Sequence, residues 1–214
     1  MILLSMSRGK GKTRSGMTLI ECMAALAMLA VVGASLLLAT QAAVESTNQA
    51  WDEMLARGIA SQYLDEASGL PFADPQATVA DPNNVLSEPL GTAVDGPRAD
   101  WTDLDDFAGK QDGDHRTPRV ESPLVDRWGQ LLGTGGSSAV VDRHPNFAIP
   151  SDYFAGWQVE TNLFYVADAN SLTPQDAPSY HRMLEVRLFR SRPDGSRTIL
   201  AELRRAVNHV PKSN

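Results

Sequence analysis

Apolar and polar residues follow three different patterns along this 214-residue chain. Between Cys22 and Val44 no charged residue occurs, which is typical of a segment that lies in lipid. After Glu45, apolar residues recur at steps of three and four among charged ones, as on a helix with one buried face. Beyond Trp157, apolar and polar residues alternate, as in a half-buried strand. The chain therefore predicts a long helix first and a sheet last.

One uninterrupted helix is predicted from Met17 to about Ser68. All 13 prolines lie at position 71 or later, so none kinks it, and Gly69 with Pro71 gives a stop signal. Segment 17–43 is predicted to span a membrane, because it would be about 40 Å long against a hydrocarbon thickness of about 30 Å. Segment 44–68 is predicted to be amphipathic. Its stripe toward a domain is expected to contain Trp51, Met54, Leu55, Ile59, Gln62 and Tyr63.

Three strands are predicted, at 157–166, 183–190 and 198–207. The last two flank Arg192-Pro193-Asp194-Gly195-Ser196, which is typical of a hairpin turn. We expect the sheet to cover the amphipathic half of the helix within a single domain, 69–214, so that the fold class is α+β. The residues expected to be buried between the two are Trp51, Met54, Leu55 and Ile59 on the helix and Val186, Leu188 and Ile199 on the strands. Segment 71–150 is rich in Pro, Gly, Asp and Asn and predicts loops, with Trp128 packed onto the domain.

A short basic leader precedes the apolar segment. It carries Arg8, Lys10, Lys12 and Arg14 and no acid, and it is followed by Ser15-Gly16-Met17-Thr18-Leu19-Ile20-Glu21. Three ordinary interpretations are a secretory signal cut near Ala42, a lipoprotein signal cut before Cys22, and an uncleaved anchor. Glu21 argues against the first, since a carboxylate inside the apolar stretch costs about 2.5 to 3.5 kcal/mol. Glu21 also argues against a lipoprotein signal, because it stands directly before Cys22, where such a signal needs a small residue.

The run from Gly16 to Glu21 resembles the prepilin processing site of type IV pilins and type II secretion pseudopilins. The resemblance covers about 30 residues and implies cleavage of leader 1–16 between Gly16 and Met17 by a prepilin peptidase, which then methylates the new amine of Met17. Glu21 falls at the family's acidic position. Major pilins typically have phenylalanine at the first mature position, where this chain has Met17. With Cys22, Met23 and Ala24 after Glu21, the N-terminal sequence looks more like that of a minor pseudopilin of the I type. A pilin-like fold is also implied, with a long helix packed on a small antiparallel sheet.

Glu21 is the candidate assembly residue. A lone carboxylate in lipid must be neutralised or paired, and after cleavage the α-amine of Met17, on the same or a neighbouring chain, is the closest cation. The resemblance implies pairing between subunits, which would set their axial register. The alternative is that Glu21 only caps the dipole of its own helix, which is worth about 0.3 to 1 kcal/mol.

Aspartates cluster in the predicted loop region, and their carboxylates are the kind of ligand that a calcium ion binds. Related major pseudopilins bind calcium in a loop, and calcium takes six to eight oxygen ligands. The spacing does not follow an EF-hand, so a solvated acidic loop is the simpler interpretation and no cofactor is expected. The candidate ligands are Asp103, Asp105, Asp106, Asp112 and Asp114.

Composition narrows the functional classes. The net charge of −7 disfavours nucleic-acid binding, and the single Cys22 excludes an intrachain disulfide. The four histidines have no zinc spacing, and no nucleophile elbow occurs, so an enzyme is not expected.

We expect a structural subunit of a type II secretion pseudopilus or type IV pilus, single-pass in the inner membrane with its domain in the periplasm. Its partners would be prepilin peptidase, other pilin-like subunits, the assembly platform and membrane lipid. The alternative is a signal-anchored module whose extracytoplasmic domain binds a ligand.

Overall fold

The computed structural model describes residues 18–72, 98–109, 111–112, 115–133, 152–192 and 194–209, with only the backbone for 99, 111–112 and 115–116. Helix α1 is Leu19–Gly69, and two 3-10 helices follow at Arg98–Asp100 and Leu104–Phe107. The strands are β1 Gln111–Asp112, β2 His115–Arg116, β3 Arg119–Glu121, β4 Trp157–Tyr165, β5 His181–Ser191 and β6 Arg197–Asn208. The chain divides into two compact units, the first ending at Gln49 and the second beginning at Ala50.

Helix α1 confirms the prediction of one unbroken helix. The backbone N–H of Cys22 donates to the carbonyl of Thr18 at 3.1 Å, so the helix begins beside Thr18, and it ends at Gly69. Met17, the predicted first residue, lies outside the described residues. Among the residues that the structure describes, α1 is the one helix long and apolar enough to cross a membrane.

Strands β3, β4, β5 and β6 form one antiparallel sheet in that order, and β1 pairs with β2 in a separate short hairpin. The three predicted strands are confirmed with slightly different bounds, and together with α1 they give the predicted α+β layout. The turn after β5 is also confirmed, because Gly195 adopts a φ of 81° and the N–H of Arg192 donates to Ser196 at 2.8 Å. Pro193 lies outside the described residues. Strand β3 was missed because two of its three residues are charged, which leaves no alternation to detect.

The sheet packs on a narrower stripe of α1 than the sequence predicted. The buried residues of the helix are Ala56, Ile59, Ala60, Tyr63, Leu64 and Ala67. Three of them are alanines with no exposed surface, and they share one core cluster with residues of β4, β5 and β6. The prediction that Trp51 and Met54 are buried is wrong, since each is 54% exposed. They lie on the opposite side of α1, because the prediction weighted large side chains over alanine.

Ile199 was also predicted to be buried, and it is 56% exposed. The pairing of β5 with β6 shifts at this point, with Leu188 opposite Ala201 and Phe189 opposite Ile199. The extra residue, Leu200, is partly buried against the core, so side chains beyond the shift face the other way. A β-bulge therefore reverses the alternation on which the prediction rested. Val186 and Leu188 are buried as predicted.

Segment 98–133 contains elements where loops were predicted. Leu104, Phe107 and Leu124 join the core, with at most 2% of each exposed. Trp128 does not pack on the domain as predicted, since 75% of it is exposed. It stands in a turn where Gly129 has a φ of 77° and Asp126 Oδ1 accepts from the N–H of Trp128 at 2.9 Å. The requirements of this turn, rather than hydrophobicity, fix the position of Trp128.

Candidate assembly site and acidic segment

Glu21 lies in the first turn of α1 and is bonded to Thr18. Its Oε2 accepts from the backbone N–H of Thr18 at 2.7 Å and from the Thr18 hydroxyl at 3.0 Å. The backbone N–H of Glu21 in turn donates to the Thr18 hydroxyl at 3.4 Å. This reciprocal arrangement is a capping box, which satisfies backbone donors that the first turn leaves free.

Thr18 was not predicted to have a role, although Thr-x-x-Glu before an apolar run is the signal of a capping box. Both of the bonds from Thr18 go to Oε2 of Glu21. The geometry therefore matches the alternative in which Glu21 serves its own helix, and it leaves pairing with another chain as a prediction. Gly16 and Met17, the predicted processing residues, lie outside the described residues.

The apolar part of α1 next to Glu21 is exposed on every side. Each residue from Leu19 to Ala50 is exposed, and the large side chains range from 61% at Val44 to 79% at Leu19. Such a continuous apolar surface is rare on soluble proteins, because exposing it to water costs about 25 cal/mol per Å². By length and composition, this helix is able to cross a membrane.

The acidic segment is a compact turn in which the aspartates bond to protein groups. Asp103 accepts from the N–H of Asp105 at 2.8 Å, and Asp106 Oδ2 accepts from the N–H of Thr102 at 2.7 Å. The N–H of Asp103 also donates to Asp106 Oδ2 at 3.2 Å, and the Asp103 side chain accepts from the N–H of Asp106. This reciprocal pair is a second capping box, at the start of the 3-10 helix Leu104–Phe107. All three aspartates are buried, with at most 7% exposed. The simpler prediction of a solvated loop is therefore wrong for them, because capping draws their side chains inward.

Asp105 also pairs with Arg182 of β5. Nη1 of Arg182 lies 2.8 Å from Asp105 Oδ1 and donates to the carbonyl of Phe72 at 2.5 Å. Its guanidinium lies 4.1 Å from the Phe72 ring centroid and 5.4 Å from that of Tyr165. Arg182 has no exposed surface, so removing its carboxylate partner would leave a buried charge. Asp105 thus fastens the acidic segment to the sheet.

A second buried arginine fastens the same segment to α1. Arg98 forms an ion pair with Glu66, donates to the carbonyl of Val125 at 3.1 Å and lies 3.4 Å above the ring of Tyr63. The Tyr63 hydroxyl donates to Glu121 at 2.6 Å. Burial, followed by the charge of Glu121, holds the pKa of Tyr63 well above its usual value. No sequence pattern signals this cluster, because its members come from three segments: α1, the 3-10 helix Arg98–Asp100 and the stretch 121–125.

The solvent-side face of the sheet carries an ionic network across three strands. Arg187 lies 3.0 Å from Glu185 and 3.3 Å from Glu202, while Arg204 lies 2.5 Å from Glu185 and 2.9 Å from Glu202. Glu160 of β4 lies 3.7 Å from Arg187. Glu185 is itself buried, so its charge depends on the two arginines beside it.

Within the ranges that the structure describes, no group of three or more His, Cys, Asp or Glu side chains is placed to hold a metal ion. The side chain of Asp112 and the whole of Asp114 lie outside those ranges. Calcium binding in this segment remains a prediction, for which Asp103, Asp105 and Asp106 would first have to give up protein partners.

Comparison with family models, with curated proteins and with solved structures gave no match.

Proposed function

We propose that this protein is a structural, pilin-like subunit of a type II secretion pseudopilus or type IV pilus. The observation that carries the proposal is the junction at Glu21. This carboxylate is the last residue of the Gly-Met-Thr-Leu-Ile-Glu run and lies in the first turn of α1, and a charge-free apolar stretch follows it. Prepilin peptidase would remove residues 1–16, and the chain would stay in the inner membrane with its domain in the periplasm. The assembly platform would then move it into a filament with other pilin-like subunits.

Two features of α1 support a role in assembly. The single helix Leu19–Gly69 contains both the exposed apolar segment and the residues that pack in the domain core. The exposed apolar surface of the first segment can be covered by lipid before assembly and by the helices of other subunits afterwards. On assembly, the carboxylate of Glu21 would form an ion pair with the cationic α-amine of a neighbouring subunit.

The processing step is tested by the intact mass and N-terminal sequence of the protein isolated from its own membranes. We expect a start at a methylated Met17. A start near Ala42 would show an ordinary secreted domain and overturn the proposal. A retained leader would also overturn it and would favour the signal-anchored binding module.

The role of Glu21 is tested by Glu21→Gln. Glutamine keeps an oxygen that can accept from Thr18, so the cap survives while the charge is lost. We expect normal membrane insertion and cleavage, with at least about a tenfold lower amount in sheared filaments, because an ion pair in lipid is lost. The matched control is Glu45→Gln, which removes the first acid after the apolar segment and should leave incorporation unchanged. Equal incorporation of the Glu21→Gln variant would contradict the pairing role.

A further inference from the structure

Two large apolar residues of α1 lie exposed within the second compact unit. Trp51 and Met54 are each more than half exposed, and neither belongs to the face of the helix that the sheet covers. They are three residues apart, so their side chains are neighbours on one side of the helix. On the covered side, Asp52 accepts from the Tyr153 hydroxyl at 2.7 Å and from Arg190 at 2.6 Å. Here α1 therefore has a domain side and an apolar side, and we call the pair on the apolar side the Trp51 patch.

The number of residues between the patch and the apolar segment limits the distance between them. The charge-free segment ends at Val44, and Trp51 follows seven residues later on the same helix. At 1.5 Å per residue, their two Cα atoms are at most about 10 Å apart, and any bend in the helix only shortens this distance. If the charge-free segment spans a membrane, the patch therefore lies close to the membrane surface.

Helix geometry brings the indole of Trp51 closer to the membrane than its Cα atom. Side chains of an α-helix lean toward its N-terminus, which is the direction of the apolar segment. The headgroup layer on each side of a bilayer is about 5 to 8 Å thick, so the indole ring falls at its depth. Tryptophan is enriched at this depth, because its ring contacts apolar carbons while its N–H bonds to polar groups.

Trp128 is an exposed tryptophan that belongs to the other end of the domain. The turn that carries it is joined to α1 through Arg98, which donates to the carbonyl of Val125 and pairs with Glu66. Glu66 lies fifteen residues beyond Trp51, which is about 22 Å further along the helix. Proximity to a membrane is therefore expected for Trp51 and not for Trp128.

We propose that the Trp51 patch inserts into the headgroup layer of the membrane that α1 spans. Lipid is the partner because it surrounds a single spanning chain at this depth, and because the carboxylate of Asp52 is held on the domain side, away from lipid phosphates. The insertion rests on α1 spanning a membrane and not on the pilin-like function. It holds for a chain that is cleaved before Met17 and for one that keeps its leader.

Tryptophan quenching of the full chain in phosphatidylcholine vesicles tests the insertion. The chain has four tryptophans, and Trp101 and Trp157 are buried. Trp128→Phe therefore leaves Trp51 as the exposed tryptophan, while Trp51→Phe leaves Trp128 and is the matched control. The two quenchers are iodide in the water and a nitroxide on the lipid headgroup. We expect iodide to quench Trp51 at least about threefold more weakly than Trp128, and the nitroxide to quench them in the reverse order.

Equal iodide quenching of the two tryptophans would show that Trp51 is in water and overturn the proposal. Protection of Trp51 from both quenchers would show that protein covers it, such as a second copy of the chain, and would overturn it as well. Release of the chain from the vesicles by alkali would do the same, because the patch would then have no spanning segment beside it. Both variants place an aromatic ring at an exposed position, so their midpoints of urea denaturation should match that of wild type.

Discussion

The two parts of α1 have the same backbone and opposite surroundings. From Leu19 to Ala50 every residue is exposed, whereas Ala56, Ala60 and Ala67 have no exposed surface. Helical conformation is therefore insufficient to decide which face of α1 is covered. Within the domain, alanines are among the residues of α1 that join the core. In the apolar part every face is equally exposed.

The carboxylates of the two parts of α1 also differ, in how far along the chain their bonding partners lie. In the apolar part the one carboxylate, Glu21, bonds to Thr18 three residues away. In the domain part the acids of α1 bond to arginines distant in sequence, such as Arg98 with Glu66 and Arg205 with Asp65 at 2.7 Å. The local bond secures only the start of the helix, whereas the distant ones join α1 to other parts of the domain.

The largest expected effect comes from breaking a buried ion pair of the domain. Asp105→Ala leaves Arg182 buried without its carboxylate, and we expect it to lower the free energy of unfolding by about 3 to 5 kcal/mol. Urea denaturation in detergent, followed by tryptophan fluorescence, measures the change. Asp176→Ala, at an exposed loop position, is the control and should stay within about 0.5 kcal/mol of wild type. Similar losses in both variants would show that Asp105 has no special role.

The same substitution in the two parts of α1 tests the comparison directly. Ala60→Leu adds a large side chain where the sheet contacts the helix, and we expect a loss of about 1 to 3 kcal/mol in the free energy of unfolding. Ala43→Leu is made on an exposed surface and should change it by no more than about 0.5 kcal/mol. The same denaturation assay measures both. Equal effects would mean that the sheet does not pack on α1 at Ala60.

The smallest expected effect is a fall in the free energy of unfolding as the pH rises above about 10. Burial raises the pKa of Tyr63, so the folded state keeps this hydroxyl protonated while the unfolded state ionises at about pH 10. Stability is therefore fully present below pH 10 and falls above it, by up to about 1.4 kcal/mol per pH unit for one tyrosine.

Tyr63→Phe should remove this part of the slope between about pH 10 and 11, because phenylalanine does not ionise. Urea denaturation at several pH values measures it. The pKa of Tyr153 is also raised, by burial and by its bond to Asp52, so Tyr153→Phe shows how much of the slope comes from elsewhere. An unchanged slope in Tyr63→Phe would mean that Tyr63 is ionised equally in both states.

Sequence patterns predicted the elements that repeat over many residues. The charge-free run and the absence of proline before position 71 predicted α1, and alternation predicted β4, β5 and β6. They failed where a single local feature changed the outcome. The bulge at Leu200 exposed Ile199, and the turn at Gly129 exposed Trp128. Of the candidate site, the position of Glu21 in the first turn followed from the sequence, while the bonds of the aspartates did not.

By itself, the sequence determined that this chain has a long apolar helix with one carboxylate at its start, followed by an antiparallel sheet. Those features depend on period, charge and proline, which are properties of neighbouring residues. Only the tertiary structure decided that alanines form the contact with the sheet and that Arg98 and Arg182 secure the acidic segment. These contacts join residues far apart in the chain, and each depends on close packing that no local pattern encodes.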